Sequence, residues 1–361
     1  MNRIKSTVFV LLILPLALVT FPQVNLVKTE PNTIVVPDDY SLIQGAINNA
    51  NEGDTIFVKS GTYNEILFIN KSLSLVGEDK YTTIIKAHNP EIVVSIRQDR
   101  VCVTGFTILA GETSNPNVSV FPWDRNLHAI QLRDSQYCNI TGNILANSGC
   151  GIWLYESYNN HINGNIITNS YFGIDLTDFS SNNIISGNNI TNNSQGIRLR
   201  GTSGSTSNNT IYRNTLINNE VGVFFQDAEL NIIVENTLTT NTDGIIFRAS
   251  SSNVIYHNNF LNNQRNIDDI SWSEWFISPS RNIWENDYPS GGNYWSNYNG
   301  TDNDADDIGD TPYFIDENNQ DNYPLMNVVE IPEFPLLMLL SLFLFLTLVS
   351  ILIKERLVRL N

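Results

Sequence analysis

Five times along the middle of the chain a glycine is followed by a short run in which buried-type apolar residues alternate with other side chains. These runs are Ile152-Trp153-Leu154-Tyr155, Ile174-Asp175-Leu176-Thr177, Ile197-Arg198-Leu199-Arg200, Val223-Phe224-Phe225-Gln226 and Ile245-Ile246-Phe247-Arg248, after Gly151, Gly173, Gly196, Gly222 and Gly244. A period of two describes a β-strand with one buried face. Two more apolar columns keep the same spacing: Ile140, Ile162, Ile185, Ile211, Ile233 and Ile255, and then Leu145, Ile167, Ile190, Leu216, Leu238 and Phe260. Each cycle of the pattern therefore predicts three short strands.

Asparagines mark the cycle. Asn143, Asn165, Asn188, Asn214, Asn236 and Asn258 lie 22, 23, 26, 22 and 22 residues apart, and each glycine stands 8 residues after one of the first five, with Asn266 closing the series. The interval of 26 coincides with Gly201 to Ser207, which reads as a loop inserted into one turn. A fixed period in this range, with Gly and Asn at the corners and no helix-forming stretch between them, predicts an all-β parallel β-helix solenoid. Its expected hand is right, as for parallel crossovers generally. A leucine-rich repeat has a similar period but needs a helical return that is absent here. Asparagine columns at Asn143 and its successors, at Asn160, Asn183, Asn209, Asn231 and Asn253, and at Asn147, Asn169, Asn192, Asn218 and Asn262 are expected to stack as side-chain amide ladders, each amide donating to one coil and accepting from the other.

The entrance to the repeats carries an amphipathic stretch, Leu42-Ile43-x-x-Ala46-Ile47-x-x-Ala50, which predicts a short helix capping the open end of the stack. It lies among Ile34-Val35-Val36-Pro37-Asp38-Asp39-Tyr40, Gly53-Asp54-Thr55-Ile56-Phe57-Val58 and Gly61-Thr62-Tyr63-Asn64-Glu65. This entrance resembles the start of pectin-lyase-like right-handed β-helix proteins, and residues 34 to 326 resemble the NosD-type, PbH1-repeat branch of that superfamily. Downstream, Asn282-Ile283-Trp284-Glu285-Asn286, Gly291-Gly292-Asn293-Tyr294-Trp295-Ser296-Asn297-Tyr298 and Gly309-Asp310-Thr311-Pro312-Tyr313 extend the likeness. The resemblance implies the fold; it leaves the chemistry open among lyases, hydrolases, esterases, binding modules and a copper-linked accessory protein.

The ends of the chain read as addressing. Arg3 and Lys5 precede the apolar run Val8 to Val19, the pattern of an export signal or signal anchor. Leu336 to Ile353 contains no charge and is followed by Lys354, Arg356 and Arg359, as in a membrane-spanning helix with its basic flank in the cytoplasm. Ile331-Pro332-Glu333-Phe334-Pro335, just before it, is similar to the PEF-type sorting motif of archaeal surface proteins. The expected organisation is an export segment (1–29), the capped solenoid (30–266), a Trp/Tyr/Asp-rich closing region (267–330) and a juxtamembrane motif, transmembrane helix and basic tail (331–361). The repeats are then held on the extracytoplasmic face of the membrane, where the sequons at Asn70, Asn117, Asn139, Asn189, Asn192, Asn208 and Asn299 become glycan acceptors.

Composition narrows the partner. Lys+Arg 20 against Asp+Glu 37 gives a net charge of −17, which argues against nucleic acid because phosphate binding needs a basic stripe. Three cysteines are too few for a disulfide framework. Positions two and four after each glycine fall on one face, gathering Trp153, Tyr155, Asp175, Arg198, Arg200, Phe224 and Arg248 from neighbouring coils. Aromatic faces stack on sugar rings and arginines pair with carboxylates, so this face is the candidate site for a polysaccharide or cell-surface glycan.

Other chemistries are thinner. Asp175 beside Asp178, with Arg198 and Arg200 one coil on, is a sparse version of a lyase site, and no cluster of carboxylates suits a hydrolase. Gly61-Thr62-Tyr63-Asn64-Glu65 and Gln226-Asp227-Ala228-Glu229-Leu230 echo fragments of pectin methylesterase signatures without the rest of the pattern. Copper would need grouped soft or imidazole ligands, and the ligand count, with His128 and Cys150 sharing a column and methionines at Met1, Met326 and Met338, does not favour it. Asp302, Asp304, Asp306 and Asp310 occupy positions 1, 3, 5 and 9 of an EF-hand-like loop and are expected to hold a structural calcium, although Asp307 and Tyr313 stand where that loop keeps glycine and glutamate.

Overall fold

The computed structural model describes residues 30–87, 92–110, 127–202, 205–273 and 276–330. The two terminal hydrophobic segments, the PEF-like motif and the segment 111–126 lie outside the described residues. Among those described, no helix is long and apolar enough to cross a membrane.

The chain winds through about ten turns of a right-handed parallel β-helix. Three sheets run its length. The first has ten strands, from Thr33–Val36 to Val254–Tyr256; the second has ten, from Gly61–Tyr63 to Tyr294–Trp295; the third has nine, from Leu67–Ile69 to Arg265–Asp269. Each predicted column is a column in register: Ile162 pairs Ile185 in the first sheet, Ile167 pairs Ile190 in the second, and Ile174 pairs Ile197 in the third. All six are fully buried. The core is thus a stack of like-shaped aliphatic side chains, closed by stacked aromatics where Phe260 lies on Trp295 (ring centroids 4.3 Å) and Trp295 on Tyr313 (4.2 Å).

Two amide ladders line the corners as expected. In the first, Asn165 Nδ2 donates to Asn188 Oδ1 at 3.0 Å and to the Ile140 carbonyl at 2.9 Å, while its Oδ1 accepts from the backbone N–H and Nδ2 of Asn143. In the second, Asn183 bridges Asn160 and Asn209 in the same way. The third ladder corrects the sequence reading by one residue. Asn147, Asn169, Asn192, Asn218 and Asn262 are exposed corner residues with φ of 55, 53, 56, 54 and 51°. Their left-handed turn, which asparagine tolerates, directs the following residue inward, so the third buried ladder is Asn193, Asn219, Asn241 and Asn263, preceded by Ser148 and Ser170.

The glycine column has a steric cause. A Cβ on Gly151, Gly173, Gly196, Gly222 or Gly244 would lie 2.4–2.6 Å from the carbonyl oxygen of the next coil, closer than real Cβ atoms come. At each of these corners the bare backbone tucks inward beside the Ile or Val that follows, and the residue before the glycine is left on the outer face.

The helix Ile43–Asn49 covers the N-terminal end with Ile43, Ala46 and Ile47 buried. No side chain of its own caps it, yet both ends are satisfied from a neighbouring coil. The Glu65 carboxylate accepts from the N–H groups of Ile43 (2.9 Å) and Gln44 (3.0 Å), and Lys71 Nζ donates to the carbonyls of Ile47, Asn48 and Ala50. Negative charge at the N-terminus and positive at the C-terminus also match the helix dipole.

Candidate functional site: a groove on the third sheet

The strands His128–Arg133, Cys150–Tyr155, Phe172–Thr177, Gln195–Arg200 and Val221–Gln226 pair in parallel, and their outer face forms the floor of a groove of about 1050 Å³. Gln131, Trp153, Asp175, Arg198 and Phe224 form one row across it, and Arg133, Tyr155, Thr177, Arg200 and Gln226 another. Of the seven candidate residues, Trp153, Tyr155, Asp175, Arg198 and Arg200 line the groove. Phe224 sits beside Arg198 in register without lining it, and the groove ends at Gln226 and Asp227, one strand short of Arg248.

The floor is tied together across coils. Arg198 Nε and a terminal nitrogen hold both oxygens of Asp175, at 2.7 and 2.5 Å, and the guanidinium carbon lies 3.6 Å from the centroid of the Phe172 ring. Asp175 is only 3% exposed, so this bidentate pair is close to buried. Trp153 Nε1 donates to Thr177 Oγ1 at 2.9 Å, Thr177 donates to the Leu154 carbonyl, and the Trp153 ring lies between His128 (4.8 Å) and Tyr155 (5.6 Å). Arg133 lies over the Tyr155 ring at 5.2 Å. The hydrogen bond and charge of Glu156 push the Tyr155 hydroxyl above its ordinary pKa.

Several groove residues escaped the sequence reading. His128, Cys150 and Phe172 belong to the row one residue before the corner position held by Ala129, Gly151 and Gly173, where the backbone steps inward and leaves that row outward. Arg97 follows Ile96, the partner of Leu132, and so extends the row of Arg133 by one coil. That coil has Val93 in place of glycine, which hid it from a search anchored on glycines. The 26-residue interval has a positional meaning as well, because Gly201 and Thr202 of the inserted loop stand at the groove wall, where Thr202 Oγ1 bonds Asp178. Arg97, Arg133, Arg198 and Arg200 against Asp175, Asp178 and Asp227 make the groove slightly cationic on a chain of net charge −17.

In the closing region, Asp302, Asp304 and Asp306 bring carboxylate oxygens within 4.8 Å of one another. Asp310 is turned to the Asn303 backbone N–H at 2.8 Å instead. Asp307, at the position where an EF-hand-like loop keeps glycine, has φ of 68°. The charge of Asp306 raises the Asp304 carboxyl above its ordinary range. Three hard oxygen donors with crowded charge are the donor chemistry of calcium.

A stack of parallel coils with buried asparagine ladders, carrying a polar and aromatic groove on its longest strands, defines a parallel β-helix repeat protein. The family model described as periplasmic copper-binding protein (NosD) matches residues 47–207 and 96–300, and the chain belongs to that family. No curated protein matches it. Among solved structures, the chain is similar to the A-module of the Azotobacter vinelandii mannuronan C-5 epimerase AlgE4 (14% identity, 61% of this chain and 73% of that one, TM-score 0.45). It is similar also to the catalytic domain of a GH87 α-1,3-glucanase (14%, 73% and 65%, TM-score 0.43) and to the PL6 family alginate lyase AlyGC (15%, 64% and 38%, TM-score 0.45).

The family description raises copper, and the described residues do not fit it. His128 and Cys150 are register partners, but burial holds the Cys150 thiol well above its ordinary pKa, away from the thiolate that ligates. His161 bonds Ser186 and His257 bonds the Ser290 carbonyl, far apart along the chain. Among the described residues, the group of three candidate ligands that does assemble is the carboxylate set of the closing region, which is hard where copper favours imidazole and sulfur.

Proposed function

We propose that the protein binds a linear polysaccharide or cell-surface glycan in the groove of its third sheet, without itself being committed to catalysis. The observation that carries this reading is the continuous groove over six coils, from Arg97 to Asp227, with Trp153 and Tyr155 set between arginines. A chain of sugar rings offers flat apolar faces for the aromatics and repeated polar substituents for the guanidiniums. Catalysis is the lesser alternative because both oxygens of Asp175, the most deeply placed groove carboxylate, are already held by Arg198.

The same proposal places the solenoid outside the cell, held to the membrane through the terminal segments, with glycans on exposed sequons and a structural calcium at Asp302, Asp304 and Asp306. A role as accessory to metalloenzyme maturation is the second reading, favoured by the family match alone. A glycan array probed with the parent protein and with Trp153→Ala tests the proposal. Binding to a defined class of glycan, weakened about tenfold by the substitution, is expected. No binding to any glycan overturns it, and copper retained through dialysis with a fixed stoichiometry would favour the accessory role.

A further inference from the structure

We infer that Arg200, not Arg198, is the residue that selects a carboxylate-bearing sugar in this groove; the inference rests on the polysaccharide reading above and names the substrate class within it, a polyuronate. The two arginines lie two residues apart on one strand, on the same face, and sequence alone cannot separate them. Their surroundings do. Arg198 is consumed by the protein: two of its nitrogens hold Asp175, and one face of its guanidinium lies on Phe172. Turning it toward a ligand would leave the Asp175 carboxylate buried without its counter-charge, which is strongly unfavourable. Arg198 therefore shapes the floor as a positioning residue.

Arg200 is the opposite case. It lines the groove, and its Nε is buried with no hydrogen-bond partner. No other nitrogen of its guanidinium forms an ion pair or hydrogen bond with the described residues. Its backbone is nevertheless fixed, the carbonyl accepting from Thr206 Oγ1 at 3.0 Å and from the Asp178 N–H at 3.1 Å. A donor that is already desolvated, unsatisfied and held in place gains more from an incoming anion than a hydrated surface arginine does. The planar guanidinium also matches a carboxylate by presenting two parallel N–H groups.

The position along the groove sets what kind of molecule reaches it. In the row containing Arg200, Thr177 and Tyr155 separate it from Arg133, and Arg97 lies one coil further. At about 4.8 Å per strand, Arg133 and Arg200 stand about 14 Å apart with the aromatic pair between them. A single sugar on Trp153 and Tyr155 cannot meet both ends. An oligomer can, with one carboxylate at Arg200 and another toward Arg133, whose own guanidinium is only loosely engaged, 3.6 Å from Asp134.

The test compares binding of a uronic-acid oligomer, of the same oligomer with its carboxyl groups reduced to alcohols, and of a sulfated neutral oligomer of equal length. The protein is used as the parent and as Arg200→Gln, Arg200→Lys and Arg213→Gln. Arg213→Gln makes the same charge change outside the groove, where Arg213 pairs Glu235. The expected result is that the parent prefers the uronate and that Arg200→Gln loses roughly ten- to hundredfold in uronate affinity, the usual worth of a charge-assisted hydrogen bond, with little change for the reduced oligomer. Arg200→Lys, which keeps the charge and the aliphatic stem but not the paired N–H groups, should lose part of the preference, and Arg213→Gln none. If Arg200→Gln does not fold, the lysine variant decides. A uronate preference that survives both Arg200 variants, or a parent that prefers the sulfated oligomer, overturns the inference while leaving the polysaccharide reading intact. A parent that binds none of the three overturns both.

Discussion

Replacing Asn188 by alanine tests whether the buried amide ladders hold the coils in register. Asn188 Oδ1 accepts from the Asn165 backbone N–H (3.0 Å) and Asn165 Nδ2 (3.0 Å), and its Nδ2 donates to the Ile162 carbonyl (2.9 Å) and Asn214 Oδ1 (2.9 Å). In Asn188→Ala the Asn165 side chain keeps the Ile140 carbonyl, but its backbone N–H is stranded in a fully buried corner. An orphaned buried donor costs about 1–3 kcal/mol and each lost net hydrogen bond about 1 kcal/mol, so the expected destabilisation is about 3 kcal/mol. The internal control is Asn192, the same residue type on the same coil, exposed and with φ of 56°. Asn192→Gly removes no ladder bond and relieves the left-handed backbone, so it should stay within about 0.5 kcal/mol of the parent. Urea unfolding followed by circular dichroism reads both. A loss below about 1 kcal/mol for Asn188→Ala, or equal losses for the two variants, would refute the ladder argument. Solenoids also unfold by segments, so a second transition appearing in Asn188→Ala would mark the coil boundary that the ladder bridges.

Other perturbations have equally definite outcomes. Burial raises the Asp321 carboxyl to about 6 against an ordinary 3.8, despite its bonds from the Asn293 N–H, Trp295 Nε1 and the Tyr323 N–H; the protonated form is thus favoured in the fold. Its contribution is full below about pH 4 and is lost as pH rises through 6, at most about 3 kcal/mol, so Asp321→Asn should flatten the fall in stability between pH 4 and 6, and an unchanged pH profile would count against it. Gly196→Ala would set a methyl 2.6 Å from the Gly222 carbonyl oxygen and 3.0 Å from Leu216, and should cost about 1–3 kcal/mol in the same urea titration; a neutral result would mean the corner relaxes freely. Chelation should lower the melting temperature and added calcium restore it if Asp302, Asp304 and Asp306 share a cation, whereas indifference to both would exclude a structural ion there.

The fold could be read because what fixes it repeats. Ile162 and Ile185 occupy equivalent places in successive coils, and Asn165 and Asn188 bond identically to the coils on either side, so a period in the sequence is a contact in the structure. The site resisted because its decisive contacts break the repeat. The pairing of Arg198 with Asp175 depends on residue types found on two coils only, and Arg200, one step further along the same face, has no such neighbour because Thr177 stands opposite it. Strict alternation counted from the glycines would turn the row of Cys150 and Phe172 inward, whereas both line the groove. Period two fails at a residue whose missing side chain lets the backbone step inward, as the close approach of Gly151 to Gly173 shows.

The placement of the groove relative to the ladders bears on the ligand. Four strands of its floor, from Cys150–Tyr155 to Val221–Gln226, begin just after a member of the third ladder series and end before a member of the second, as Phe172–Thr177 lies between Ser170 and Asn183. Both ends of these four strands are therefore pinned to neighbouring coils by buried hydrogen bonds. The rows of outer side chains keep a fixed spacing of about 4.8 Å per coil. A surface that is rigid and periodic along one axis can match a ligand with its own periodicity over several repeats at once, and it loses little entropy in doing so because it does not reorganise. For a single sugar that advantage vanishes: it meets one or two coils and leaves the remaining donors to water. The architecture thus favours a polymer on thermodynamic grounds independent of which sugar it contains, and affinity should rise with chain length until the oligomer spans the distance from Arg97 to Asp227 and then level off. A plateau already reached by a monosaccharide would show that the coils do not act together.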